Sequence, residues 1–150
     1  MSVIEPQAPS GQLGFSRVGA AAPATVVAWR GEFGAWLHDH LDLDAERRSD
    51  IVLAVDEALS NAAEFAYLNS AGGKVTLDVR YSSHQEQLDI EVSDSGTWRE
   101  SGPENRSLAR GRGIQLMRAL SDEFSLQQGS GGTTVLMSFM RCPSDGATST

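Results

Sequence analysis

The sequence predicts an α+β fold in two layers, a largely antiparallel sheet covered by helices on one face. Two kinds of periodicity carry that prediction. Val75, Leu77, Val79 and Tyr81 alternate with Thr76, Asp78 and Arg80, and the rows Leu88–Ile90–Val92 and Val135–Met137–Phe139 repeat the alternation. Period two is the pattern of strands with one covered and one wet face. Ile51–Leu68, IVLAVDEALSNAAEFAYL, instead repeats its apolar residues at three- and four-residue steps. That is an amphipathic helix with a broad buried face.

In chain order, residues 1–12 hold two prolines, two serines and a glycine, and read as a disordered tail. Phe15–Val18 suits a short edge strand. From Ala24 to about Leu41, the residues Val26, Val27, Trp29, Phe33, Trp36, Leu37 and Leu41 fit a helix weakened by Gly31 and Gly34. His38 and His40 on it are two residues apart and do not face one another, so they read as surface residues, not metal ligands. Asp44 is placed to cap the second helix, which Asn69-Ser-Ala-Gly-Gly73 stops. Three strands follow, with a weaker one at Phe124–Gln128 joined to the last through Gly129-Ser-Gly-Gly132. Between the second and third clear strands lie a polar stretch, Thr97–Arg110, and a helix over Gly111–Ser121. The expected organisation is one domain, residues 13–141, with a second disordered tail over 142–150.

Composition narrows the function. A chain of 150 residues with 40% hydrophobic content can build one core. No apolar run approaches the roughly 18 residues of a membrane span, and MSVIEPQAPSGQ lacks a basic region followed by an apolar one, so no signal peptide is expected. The single cysteine, Cys142, suits a reducing cytoplasm. A net charge of −8 argues against general nucleic-acid affinity. The charge is uneven. Asp39–Glu64 holds eight acids and two arginines, whereas Arg99–Arg118 holds five arginines and two acids. An acidic chain with one basic segment is a reasonable host for a phosphate ligand or an acidic partner.

Several residues could carry chemistry. Glu57 and Asn61 are i and i+4, on one line of the helix away from the middle of its apolar stripe. A carboxylate and an amide at that spacing can hold a metal ion and a water together, or simply form a solvated face. Asp94 continues the row Leu88–Ile90–Val92 and Thr133 the row Val135–Met137–Phe139, so both point to the covered side. A carboxylate there is costly unless hydrogen-bonded, although Asp94-Ser-Gly96 is also good turn chemistry. Gly111-Arg-Gly113 is expected to open its helix, where backbone N–H groups and the helix dipole favour an anion. No dinucleotide fingerprint is present, since Leu116 replaces its third glycine, and no P-loop either, since Lys74 is the only lysine.

Taken together, AVDEALSNAAEFAY, VSDSGTW, RGRGIQLM and GGTTV resemble the four boxes of the GHKL ATPase superfamily, the Bergerat or histidine-kinase-like ATPase fold. Within it the chain is most similar to the small bacterial anti-sigma factor serine/threonine kinases of the RsbW-like group, over about residues 22–140. The resemblance implies ATP and Mg²⁺ as cofactors, Glu57 as general base and Asn61 as magnesium ligand. It implies Asp94 as the acceptor of the adenine amino group, Gly96 as the residue that lets the base lie close, and Thr133 as a neighbour of adenine. Gly111 and Gly113 would contact phosphates, and Thr97–Arg110 would form a lid. Three positions depart from the pattern. Trp98 replaces a glycine at the start of the lid, and Phe65 stands where many relatives carry histidine. Ala109 stands where some have a phosphate-reaching arginine, which makes the adjacent Arg110 a candidate for that role.

The implied activity is that of an anti-sigma factor that also phosphorylates a serine or threonine on a STAS-domain anti-sigma factor antagonist. The implied partners are that antagonist and an RNA polymerase sigma factor, with room for a homodimer, and with no direct contact to nucleic acid or membrane. The alternative is an ATP-binding anti-sigma or partner-switch module without effective kinase activity.

Overall fold

The computed structural model describes residues 12–69, 73–95, 108–129 and 132–145. Five strands and three helices are ordered β1 (Gln12–Ala20), α1 (Pro23–His40), α2 (Ala45–Asn69), β2 (Lys74–Ser82), β3 (Gln87–Asp94), α3 (Leu108–Leu120), β4 (Glu123–Gly129) and β5 (Gly132–Phe139). The strands form a single sheet in the order β1-β2-β3-β5-β4, and every neighbouring pair is antiparallel. The α+β architecture expected from the two periodicities is the one observed.

The register follows the alternation read from the sequence. Leu77 faces Val92, Val79 faces Ile90, and Ile90 faces Met137, so one face of the sheet is an unbroken apolar surface. The helices cover that face. On α1, the residues Val26, Trp29, Phe33 and Leu37 are buried, a run of three- and four-residue steps. Pro23 opens α1 at its first turn, where the missing N–H costs nothing. Gly31 and Gly34 do not interrupt it. At Gly34 a β-carbon would stand 3.9 Å from Val52, so this glycine lies where α1 meets α2. Asp44 caps α2 as expected, accepting a 2.7 Å hydrogen bond from the Arg47 amide. Along α2, Ile51, Ala54, Val55, Ala58, Leu59, Ala62 and Ala63 are buried, and the small residues let α2 lie close between α1, α3 and the sheet. Each large aliphatic or aromatic side chain buried in this core contributes about 1.5–3 kcal/mol.

Three expectations change. The edge strand is longer than Phe15–Val18, because Gln12–Ala20 pairs with β2 along its whole length. His40 is not a plain surface residue: its ring packs on Trp36 at 5.0 Å between centroids, and Nδ1 lies 2.9 Å from the Trp36 carbonyl. The expected C-terminal tail is docked over residues 142–145. Tyr81 is buried in the core and its hydroxyl needs a partner, which the Cys142 carbonyl supplies at 2.6 Å. The Cys142 amide donates to the Glu86 carbonyl, the Asp42 amide to the Pro143 carbonyl and the Asp145 amide to the His40 carbonyl. Cys142 is fully buried. Residues 1–11 and 146–150 lie outside the described residues.

Candidate functional site

The first group of inward-facing polar side chains is carried by α2. The sequence puts the Glu57/Asn61 line away from the middle of the apolar stripe, yet α3 packs over it. Asn61 is therefore only 4% exposed and Glu57 half-buried. The point of contact is Gly113. A β-carbon there would lie 2.8 Å from Glu57 Oε1, 3.5 Å from Asn61 Nδ2 and 3.7 Å from Asn61 Oδ1. Only a residue without a side chain lets α3 approach the carboxylate and the amide this closely.

That is a different role from the one expected for the Gly111-Arg-Gly113 pair. α3 begins at Leu108, so the glycines lie inside its first two turns and do not open it. Their N–H groups fall beyond the helix's unpaired first ones and within its own bonding pattern. A glycine costs a helix only about 1 kcal/mol, and packing of α3 on α2 is enough to carry the helix through both.

Glu57 has a perturbed environment. Burial pushes its carboxyl pKa up, and the negative charge of neighbouring Asp56 adds to the effect, so Glu57 holds a proton more tightly than an ordinary glutamate. Asp56 itself pairs with Arg30 of α1 at 3.4 Å.

The second group sits where β3 ends and β5 begins. Asp94 and Thr133 are cross-strand partners, both in the covered phase as their rows require. Thr133 is 1% exposed and Asp94 half-buried. Gly132, which the sequence places only in a connecting turn, fixes their relation. Its φ is +140°, and a β-carbon would collide with the Asp94 carbonyl oxygen. The other side of the Asp94 corner is held by β2. Val75 pairs with Asp94, the Lys74 amide donates to Ser95 Oγ at 3.4 Å and the Ser95 amide to the Lys74 carbonyl at 3.3 Å. A glycine directly before a strand residue in the buried phase was the available signal for Gly132. Asp56 had none, because its influence on Glu57 depends on burial.

Asn61 Nδ2 and Thr133 Oγ1 are buried with no hydrogen-bond partner among the described residues. Each such group costs about 1–3 kcal/mol, and native proteins keep few of them without a reason. A nucleotide carrying its metal fits this donor set. Thr133 and Asp94 offer a hydroxyl and a carboxylate at one corner. The Asn61 amide presents its oxygen to a cation after a half-turn about its last bond. No cluster of three or more His, Cys, Asp or Glu residues stands ready for a metal among the described residues, so such a cation would draw other ligands from phosphate. Gly96 and most of the expected lid, residues 97–107, lie outside the described residues, as do the side chains of Phe65 and Arg110.

An antiparallel sheet covered on one face, with a helix-borne carboxylate and amide under a second helix and an aspartate–threonine corner at the strand ends, defines a protein of the ATPase-domain class. The chain belongs to the family described as the histidine kinase-like ATPase domain, whose model matches residues 19–139. It is 32% identical over 108 residues to the serine-protein kinase RsbW of Bacillus pumilus, an alignment that covers 63% of this chain and 67% of that one. Against the serine-protein kinase RsbW of Listeria innocua the identity is 29% over 108 residues, with 63% and 68% covered. The chain is thus RsbW-like in sequence.

Its fold is similar to that of a crystal structure of the RsbU and RsbW domains of Rv1364c from Mycobacterium tuberculosis. There the TM-score is 0.66 at 22% identity, over 85% of this chain and 32% of that one. It is also similar to the histidine kinase domain of a blue-light activated histidine kinase from Erythrobacter litoralis, with a TM-score of 0.54 at 24% identity, over 77% of this chain and 60% of that one. The chain spans about a third of the mycobacterial chain and under two thirds of the second, and the likeness to both is one of fold. No helix among the described residues is long and apolar enough to cross a membrane.

Proposed function

We propose that this protein is an ATP-dependent serine/threonine protein kinase of the anti-sigma type, working in the cytoplasm. It binds an RNA polymerase sigma factor and phosphorylates a STAS-domain antagonist of that binding. The observation that carries the reading is the meeting of Glu57 and Asn61 under Gly113, with Asn61 Nδ2 left without a hydrogen-bond partner among the described residues. The serine-protein kinase relatives support the choice of phosphoryl acceptor.

In this reading Asp94 and Thr133 bind and orient the base of the nucleotide, with Gly96 giving it room. Asn61 would hold the metal, and the family resemblance assigns Gly111, Gly113 and Arg110 to the phosphates. When bound, Mg-ATP supplies the transferable phosphoryl group and the charge that neutralises its oxygens. Glu57 accepts the proton of the attacking hydroxyl, and its raised proton affinity suits a base. Packing of α3 over α2 buries Asn61 and half-buries Glu57, which holds both side chains in place, so the site works mainly by positioning.

The test is a radiolabelled ATP assay with a STAS-domain protein from the same organism. Glu57→Gln should leave nucleotide binding nearly intact and reduce transfer by about 10²–10⁴-fold. Asn61→Ala should reduce transfer and also weaken the magnesium-dependent part of nucleotide binding. A wild-type protein that binds ATP and a partner, yet phosphorylates no STAS protein, would establish the partner-switch module in place of the kinase.

A further inference from the structure

The helical layer has an outer side, and there α1 and α2 do not close on one another. A groove of about 440 Å³ runs between them, lined by Arg30 and Gly34 of α1 and by Arg48, Ser49, Val52, Leu53 and Asp56 of α2. Its α2 wall is built of two helical lines, 48–52–56 and 49–53, each at four-residue steps. Leu53 is 39% exposed, and Val27, one turn before Arg30 on α1, is 59% exposed. Gly34 puts no side chain over Val52, and at Gly31 a β-carbon would meet nothing within 4 Å. The floor is therefore apolar and open where a helix pair would ordinarily fill it with side chains.

The charges on the rim are opposite in sense to those of the chain. Two arginines face one aspartate here, in a protein whose net charge is −8. Arg30 is only loosely committed, since its 3.4 Å pair with Asp56 leaves the arginine side chain 45% exposed. Arg48 reaches back to the Leu43 carbonyl at 3.3 Å, a neutral acceptor that a carboxylate would outbid. Along α2, positions 48 and 56 are separated by about 12 Å, two helical turns at 1.5 Å per residue.

We propose that this α1–α2 groove is a docking site for a short amphipathic helix of a protein partner, one that lays an apolar stripe on Val52 and Leu53 and carries acidic residues about two turns apart. An apolar helix face read by anchors at i, i+3 or i+4 and i+7 is a standard mode of recognition. Two basic groups at the rim select an acidic flank and reject a basic one. The groove lies outside the nucleotide corner, and Asp56 in its wall is the neighbour of Glu57, so an occupant sits beside the site without entering it. Docking here does not depend on whether the chain transfers phosphate.

The probe is a hydrocarbon-stapled helical peptide of four turns, with leucine at the anchor positions and glutamate at the two flanking positions, and a twin in which both glutamates are lysine. The full chain is titrated with each, and amide shifts are mapped by two-dimensional NMR. The glutamate peptide should bind at least tenfold more tightly than its twin and should shift the amides of Val27, Gly31, Gly34, Val52 and Leu53. The double variant Arg30→Glu/Arg48→Glu removes the exposed Arg30–Asp56 pair and the Arg48 bond to the Leu43 carbonyl, so it should stay folded with a slightly lower melting temperature. It should reverse the preference between the two peptides. Equal affinities, no binding at millimolar peptide, shifts that map to another surface, or an unreversed preference in the folded variant would overturn the proposal.

Discussion

Thr133→Val separates what the fold needs from what the site needs. The threonine is 1% exposed, and its Oγ1 is buried with no partner among the described residues. Valine has nearly the same shape, so the exchange keeps the packing against the sheet's covered face and removes one hydroxyl. A buried polar group without a partner costs about 1–3 kcal/mol. Removing it should stabilise the nucleotide-free protein by about 1 kcal/mol, the lower end, because the new methyl gains no extra room. For a domain of this size that is a rise in melting temperature of about 3–5 °C. The hydroxyl is also the group that a bound base would satisfy, so nucleotide affinity should fall by about 0.5–1.5 kcal/mol, or up to roughly tenfold. The assay is a thermal melt without nucleotide beside a calorimetric titration with Mg-ADP. A melting temperature that falls without nucleotide would mean that the hydroxyl has a partner in the fold. A rise with unchanged affinity would remove Thr133 from the nucleotide corner.

Other outcomes follow from the same geometry. Gly113→Ala places a carbon 2.8 Å from Glu57 Oε1, roughly 0.6 Å short of an ordinary contact. The carboxylate must turn away while the helix gains up to about 1 kcal/mol. Stability should hold or rise as phosphoryl transfer drops about tenfold or more, and a stable variant of full activity would refute the tight approach. Glu57→Gln should be more stable than wild type at pH 7. With its folded-state pKa raised above the ordinary 4.5, Glu57 contributes stability that is present below that value and lost as pH rises through the raised one. Urea melts should show the advantage of the variant shrinking as pH falls to 4. Tyr81→Phe leaves the Cys142 carbonyl without its 2.6 Å donor, at a cost of about 1–2 kcal/mol. Increased hydrogen exchange confined to residues 142–145 and the Glu86 turn would show that this bond is what docks the C-terminal segment. Burial pushes the Tyr81 hydroxyl up to about 12, so a spectroscopic titration of wild type should show this tyrosine ionising well after an ordinary one.

The sequence alone determines the layers of this protein and the phase of almost every side chain that matters. Alternation is a local property of each strand, so Asp94 and Thr133 could be assigned to the covered side before the strands were paired, and the sheet pairs them directly. The four-residue spacing of Glu57 and Asn61 is likewise a property of one helix. Burial of that line was not legible, because it depends on α3 arriving from about fifty residues away and on Gly113 letting it come close. The raised proton affinity of Glu57 follows from the same packing. Only the tertiary structure could show that α3 starts before its glycines, since a helix boundary is set by what the helix packs against as much as by its own residues. The docking of Cys142–Asp145 was hidden for a related reason. A proline-, serine- and glycine-containing end looks disordered until a buried tyrosine hydroxyl, 61 residues earlier in the chain, is seen to need its carbonyl.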